Sequence, residues 1–196
     1  MSDNEANIRE KQIYESYQNV IAPLIVELEA RDLEYPVELL NEIRSIFTHL
    51  SRFKLNNSEN DLSSAEKHIK RAILDCFKYI CVSCATEMKD FRKQYREVDL
   101  SLANNGNFLS ELNKLDNEAR KTYISAKNLE ITMNASEDDL YDAFQKAYNS
   151  YTQLIQFIED SQESILFASN HSKRKNIVAL IGFVATIISA VIAFVK

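Results

Sequence analysis

Glycine, proline and tryptophan are nearly missing from this chain. Its 196 residues include two Gly, two Pro and no Trp. Gly and Pro are the residues that most often mark turns, so their scarcity leaves few places for the hairpins of a β-rich fold. The sequence therefore predicts an all-α protein that is built from long helices.

Cysteine is also scarce, and its positions exclude a disulfide framework. Cys76, Cys81 and Cys84 lie within nine residues, and no cysteine elsewhere in the chain could pair with them to close a long loop. Cys81 and Cys84 have the spacing of half a zinc site or of a redox motif, but a second pair of ligands is missing. We interpret all three as small core side chains in a reducing compartment, and we predict no metal and no cofactor.

Basic charge is scarce in the first 170 residues. The whole chain has a net charge of −6, whereas residues 171–196 hold four basic residues and no acidic residue, which leaves −10 on residues 1–170. A protein that binds nucleic acid through its phosphates needs a basic surface. General nucleic-acid binding is therefore disfavoured.

The longest apolar run lies at the end of the sequence. Residues 177–195 are 19 consecutive uncharged residues, and as a helix they would span about 28 Å, close to the thickness of a bilayer's hydrocarbon core. This run predicts a C-terminal transmembrane anchor, with the lipid bilayer as its partner. The predicted organisation is a helical domain over residues 1–170, a basic linker over 171–176 and the anchor.

The basic residues beside the anchor predict its orientation. Lys173, Arg174 and Lys175 precede the apolar run, and only Lys196 follows it. The positive-inside rule then places the N-terminal domain in the cytoplasm. The chain is predicted to be a single-pass, tail-anchored membrane protein.

The small residues of the anchor form one stripe. They recur at spacings of 3, 4, 3 and 4. Small residues allow two helices to approach closely in lipid, so the stripe predicts self-association and a homo-oligomer. The alternative is a mixture of small residues that a monomeric anchor merely tolerates. The stripe consists of Ala179, Gly182, Thr186, Ser189 and Ala193.

Apolar periodicity in the first 170 residues predicts an antiparallel bundle of about five long helices. Ser63 and Ser64 are candidate caps for the third helix, and Asn134 and Ser136 for the fifth. An Asn-rich break at 104–107 separates the third helix from the fourth. The fifth helix either continues into the anchor or breaks near residues 169–172, and the sequence leaves both open.

Two polar motifs fall on the second and third predicted helices. Arg44 and His49 form an R-x4-H pattern, and His68, Arg71, Asp75 and Lys78 form an H-x2-R-x3-D-x2-K pattern. Together these segments resemble the HEPN superfamily over about residues 36–84. The resemblance implies a small helical protein of bacterial conflict or CRISPR systems.

Active members of that superfamily are metal-independent ribonucleases in which the motif Arg and His of two protomers meet. Carried over to this chain, the resemblance implies that Arg44 would bind phosphate and that His49 would be the acid/base. Ser45 stands where active members commonly have Asn, Asp or His. This departure favours a relative without catalytic activity.

Helical spacing offers a structural interpretation of the same polar residues. Glu42 and His49 are seven apart and share one border of a helix, and so do His68 and Asp75. If the two helices form an antiparallel hairpin, these rows face each other with Arg71 nearby. The five side chains would then satisfy one another in a buried polar network. A nuclease site and unrelated surface positions are the alternatives.

Three functional hypotheses follow. The first is a tail-anchored, HEPN-like oligomeric effector or accessory of CRISPR-linked antiviral defence in the bacterial inner membrane, one that could perturb the membrane and could have a protein partner from the same system. The second is a membrane-localised ribonuclease that uses Arg44 and His49, with RNA as its substrate. The third is a non-catalytic, tail-anchored adaptor.

Overall fold

The computed structural model describes residues 3–32, 35–132 and 135–173, and these are helical with connecting turns and no strand. The prediction of an all-α protein is confirmed. The helices are α1 (Asp3–Ser16), α2 (Ala22–Asp32), α3 (Val37–Asn56), α4 (Glu59–Gln94), α5 (Phe108–Glu130), α6 (Glu137–Asp160) and α7 (162–173, as far as it is described).

The first predicted helix contains one irregular turn. Tyr17–Ile21 between α1 and α2 is π-helical, and the Ala22 N–H donates to the Tyr17 carbonyl, five residues back. Pro23 follows at once; it lacks an N–H, and its ring crowds the carbonyl four residues earlier. The wider π turn accommodates that proline without ending the helix.

The turn between α3 and α4 is short. Asn57 ends α3 in the left-handed conformation, with φ 54°, and its N–H donates to the Phe53 carbonyl at 2.7 Å. Ser58 then caps α4, because its hydroxyl accepts from the Asp61 N–H at 3.3 Å. The prediction of Ser63 and Ser64 as caps is wrong, since both lie inside α4.

The chain divides into two compact units. The first comprises Met1–Thr86 and Glu118–Thr152. Within it, Arg9 on α1 donates to Glu66 on α4 at 2.6 and 2.7 Å, and Lys54 on α3 pairs with the buried Glu10 at 2.6 Å. Its largest fully buried side chains are Ile21, Leu28, Leu39, Ile46, Leu62, Ile80 and Phe144.

The second unit comprises Glu87–Asn117 and Gln153–Lys196, of which residues 174–196 lie outside the described part. Its segment Leu100–Gly106 is an irregular 3-10 helix, in which Asn104, Asn105 and Gly106 have positive φ. This is the predicted Asn-rich break. The ring of Phe108 stacks on Phe157 with centroids 5.3 Å apart. The unit's largest fully buried side chains are Met88, Phe108, Leu112, Leu154 and Ile155.

Helix α6 ends at Asp160, whereas the sequence predicted that this helix breaks near residues 169–172 or continues into the anchor. Its start is capped as predicted by Ser136, which accepts from the Asp139 N–H at 3.1 Å, while Asn134 lies outside the described residues. A turn at Ser161 separates α6 from α7. The break therefore lies at least eight residues before 169–172.

No helix within residues 3–173, the two short gaps aside, combines the length and the apolar character needed to cross a bilayer. The predicted anchor at 177–195 and its stripe of small residues lie outside the described residues. The anchor therefore stays a prediction from the sequence.

Candidate functional site

Helices α3 and α4 bring two histidines and two carboxylates together in the first unit. His68 on α4 donates through Nδ1 to Glu42 on α3 at 2.6 Å, and His49 on α3 donates through Nδ1 to Asp61 on α4 at 2.8 Å. A step of seven residues forward along α3 matches a step of seven back along α4, which is the register of an antiparallel hairpin. We call these four residues the histidine cluster.

The two imidazole rings lie side by side. Their centroids are 5.3 Å apart and their planes differ by 19°. The side chains of His49 and His68 are 22% and 19% exposed, so the cluster lies at the edge of the core rather than inside it. Each helix supplies one imidazole and one carboxylate, and each pair therefore joins α3 to α4.

The contacts within the cluster fix its protonation pattern. A carboxylate can only accept a hydrogen bond, so each Nδ1 carries a proton. The hydrogen bond from His49, assisted by the one from the Ser58 hydroxyl, lowers the pKa of Asp61. Nδ1 is thereby occupied on both rings, and Nε2 is the nitrogen that remains for exchange with solvent or with a ligand.

Arg44 does not join the cluster. It is exposed, and it lies about 140° around α3 from His49, as five residues of an α-helix require. The R-x4-H pair therefore does not meet within one chain. A site that used both side chains would need a second protomer.

Asp75 lies outside the two imidazole–carboxylate pairs of the cluster, although it is near enough to Glu42 for the two like charges to repel each other. Asp75 pairs with Lys78 at 3.7 Å, and Lys78 also pairs with Glu130 on α5. Burial raises the pKa of Asp75. Arg71 is exposed and lines a shallow groove beside Tyr141. The predicted network is thus divided between a histidine cluster and a separate lysine–carboxylate group.

The sequence reasoning missed Asp61. A signal for it is present, because Asp61 precedes His68 by the same seven residues that separate Glu42 from His49. Asp61 stands two residues after the start of α4. Because the start of the third helix was predicted at Ser63 and Ser64, Asp61 was placed in the preceding loop.

The remaining predicted residues lie near or beyond the end of the described chain. Lys173 is exposed at the end of α7. Arg174, Lys175 and the stripe from Ala179 to Ala193 lie outside the described residues.

The three cysteines form no disulfide and are buried in α4. Burial raises the pKa of the Cys76 and Cys81 thiols to about 12, so both are unreactive as nucleophiles at neutral pH. Across the part of the chain that the structure describes, no group of three or more His, Cys, Asp or Glu side chains could hold a metal ion.

The cluster has two chemical capacities. It fixes the register of α3 and α4, because a shift of one helix along the other would break both imidazole–carboxylate hydrogen bonds at once. It also presents two imidazoles that are oriented through Nδ1, which is how a carboxylate orients a histidine that exchanges protons through Nε2. Comparison of the chain with protein-family models, with curated proteins and with solved structures finds no match to any of them.

Proposed function

We propose that this protein is a tail-anchored, HEPN-like membrane protein that acts as an oligomeric effector or accessory in bacterial antiviral defence and catalyses no reaction. Residues 1–170 are cytoplasmic in this proposal, as the basic residues 173–175 favour. The defence role rests on the resemblance of the two polar motifs to the HEPN superfamily. The anchor takes part in the activity through its stripe of small residues.

One observation carries the proposal: residues 177–195 contain no charged residue. A charged side chain at the centre of a membrane helix costs about 2.5–3.5 kcal/mol, so 19 residues without one are strongly favoured to insert. The run matches the thickness of one hydrocarbon core. Its small residues repeat on one face, and this repeat supports self-association.

The contacts that the histidine cluster makes between α3 and α4 support a role without catalysis. His49 and His68 each hold a carboxylate on the opposite helix, and Arg44 lies on a different side of α3. His49 of the R-x4-H motif therefore contributes to helix pairing, and Arg44 does not complete a site with it within one chain. A non-enzymatic role also agrees with Ser45 at the position after the motif Arg.

Crosslinking in membranes tests the oligomer. We expect the full chain to give crosslinked species larger than a monomer, and Gly182→Leu with Ser189→Leu to reduce them, because bulky side chains keep the helices apart. Val184→Leu with Val191→Leu is the matched control, since these residues are also seven apart but lie on the opposite face. The proposal would be contradicted if the full chain gave only monomer, or if both variants lost crosslinked species equally.

An exchange of the anchor separates an effector from a passive adaptor. Replacing residues 177–195 with an unrelated transmembrane helix keeps the chain on the membrane but removes the stripe. An effector that works through its anchor loses activity in a phage-challenge assay. An adaptor, whose acidic domain recruits a partner, keeps that activity.

A membrane-localised ribonuclease is the second candidate, because both imidazoles are oriented through Nδ1 by a carboxylate. It predicts that the detergent-solubilised full chain cleaves RNA and that Arg44→Ala with His49→Ala abolishes cleavage. Arg96→Ala with His171→Ala is the control, since both residues are exposed and lie outside the cluster. No cleavage, or equal cleavage by all three proteins, would remove this candidate.

A further inference from the structure

Helix α7 exposes two large apolar side chains close to the predicted anchor. Leu166 is 56% exposed and Phe167 is 63% exposed, although they are neighbours in the chain. The opposite side of α7 is buried in the second unit through Ile165, Ala168 and Ser172. We call Leu166 and Phe167 the α7 apolar face. Because they are adjacent, these two side chains offer an apolar surface to a partner.

A neighbouring segment is held against the side of α7 that faces away from Leu166 and Phe167. The Asp99 N–H donates to Ser172 at 3.0 Å, and Asn104 bonds to both Ser161 and Ser164 at 2.9 and 2.6 Å. The segment between Asp99 and Asn104 therefore runs antiparallel to α7. These contacts fix α7 within the second unit, so its outward face has a defined direction.

Chain length limits how far this face can lie from the anchor. Residue 177 is four residues after Lys173, and these four steps can span at most about 14 Å even when the chain is fully extended. Phe167 lies about 9 Å before Lys173 along α7. Whatever the conformation of residues 174–176, the α7 apolar face is within about 23 Å of the start of the apolar run.

The charges that follow the α7 apolar face fit an anionic lipid surface. Acidic residues lie before it: exposed Glu163 is one turn earlier on the same side of α7, and Glu87 and Asp90 line a groove with Leu166. From residue 164 to the end of the sequence there is no acidic residue, and Lys173, Arg174 and Lys175 follow Phe167 after five residues. An interfacial helix combines such features, with Leu and Phe entering the boundary between headgroups and acyl chains and basic residues contacting anionic headgroups.

We propose that α7 is a membrane-interface helix whose apolar face, Leu166 and Phe167, enters the headgroup region of an anionic bilayer. This inference rests on the tail anchor of the proposed function. It adds that the second unit contacts the lipid surface directly and is not suspended from a free linker. The bilayer is thus a partner of the folded domain as well as of the anchor.

The chain contains no tryptophan, so Phe167→Trp introduces a single fluorescent reporter. Phe47→Trp is the matched control, because Phe47 is also an exposed phenylalanine but lies on α3 of the first unit. Each full-length variant is reconstituted into vesicles of phosphatidylcholine and phosphatidylglycerol, with or without bromine on the acyl chains. Circular dichroism checks the fold, and Leu166→Trp is a second reporter of the same face.

We expect the emission of Phe167→Trp to shift to the blue, to be lost in brominated vesicles and to resist aqueous acrylamide. Phe47→Trp should keep its emission in brominated vesicles and lose it to acrylamide. If both reporters behave alike in vesicles that carry the protein on flotation, the inference is overturned while the anchor stands. Protection from acrylamide without quenching by bromine would overturn it as well, in favour of a second copy of the chain. A protein that fails to float overturns the tail anchor, and the inference falls with it.

Discussion

The two ends of α4 connect to their neighbouring helices in different ways. At its start, Asn57 and Ser58 alone join α3 to α4, and each hydrogen bond of the turn spans four residues or fewer. At its end, residues 95–107 lead to α5 through three residues of positive φ. This second connection is held by contacts with α7 that are 57 to 73 residues distant in sequence.

The two connections are therefore stabilised by different kinds of contact. The turn between α3 and α4 is held by local hydrogen bonds. The histidine cluster, whose residues are seven apart on each helix, fixes the register of the two helices. The second connection depends on single polar contacts with a distant helix, and nothing periodic supports it. We therefore expect the two ends of α4 to respond differently to substitution.

The largest expected effect concerns the first fully buried side chain after each connection. Phe108→Ala should lower the free energy of unfolding by about 3–5 kcal/mol, and Leu62→Ala by about 2–5 kcal/mol. Phe108 is the larger side chain and stacks on Phe157, so its loss should leave the larger cavity. Urea denaturation followed by circular dichroism measures both. A loss below about 1 kcal/mol for Phe108→Ala would contradict the stacked core of the second unit.

The histidine cluster provides the next test. A double-mutant cycle of Glu42→Gln and His68→Gln, measured at pH 5.5, should give a coupling free energy of about 1.5 kcal/mol, because the pair is charge-assisted and about four-fifths buried. The control cycle is Lys70→Gln with Asp138→Asn. That pair has a similar distance, 2.8 Å, but is exposed, so about 0.5 kcal/mol or less is expected. Equal couplings would mean that the cluster does not set the register.

A smaller effect should distinguish two left-handed asparagines in the second connection. Asn104→Gly and Asn105→Gly both permit positive φ, but only Asn104 bonds to Ser161 and Ser164. Asn104→Gly should therefore cost about 1 kcal/mol of unfolding free energy, while Asn105→Gly should be close to neutral. A neutral Asn104→Gly would show that the long-range contacts do not hold this connection.

The smallest expected effects are the pH-dependent contributions of Asp61 and Asp75 to the stability of the fold. Both residues lie on α4, and their contributions have opposite signs. The pKa of Asp61 is lowered from 3.8 by its hydrogen bond from His49, so Asp61 stabilises the fold above pH 3.8 and this contribution is lost as the pH falls below it. The pKa of Asp75 is raised from 3.8 by burial, so its ionisation destabilises the fold as the pH rises above that value.

Asp61→Asn should accordingly be less stable than the wild type at pH 7, and Asp75→Asn more stable. The Asp75 difference should disappear below pH 3.8, where this aspartate is protonated in both folded and unfolded chains. The Asp61 difference should shrink below pH 3.8 and disappear only once the pH falls below the lowered folded pKa of Asp61. Thermal unfolding of the three proteins between pH 3 and pH 7 measures this. Shifts of the same sign for both variants at pH 7 would contradict the assignment.

The sequence predicted what depends on periodicity. The facing rows on α3 and α4 follow from regular spacing of side chains, and the structure joins Glu42 to His68. The turn at Ser161 and the bond between Asp99 and Ser172 have no such spacing. They depend on single small polar side chains that meet only after the helices have packed, and a single sequence does not show which pairs will meet.

The cap of α4 shows the same limit on a local scale. Ser58, Ser63 and Ser64 all precede apolar residues at helical spacing, and any of them could cap a helix. The selection of Ser58 follows from the left-handed Asn57 before it, which ends α3 and turns the chain at that point. The sequence pattern predicted a serine cap, but it pointed to Ser63 and Ser64 and not to Ser58.

We propose that residues 177–195 place this helical protein in a membrane. Extraction of membranes with alkaline carbonate tests it directly, using the full chain and a variant with Ile181→Arg and Ile188→Arg, each arginine costing about 2.5–3.5 kcal/mol of insertion free energy. The variant with leucine at both positions is the control. We predict that the wild type and the leucine variant remain in the membrane pellet and that the arginine variant is released. Release of the wild type into the supernatant would contradict the account.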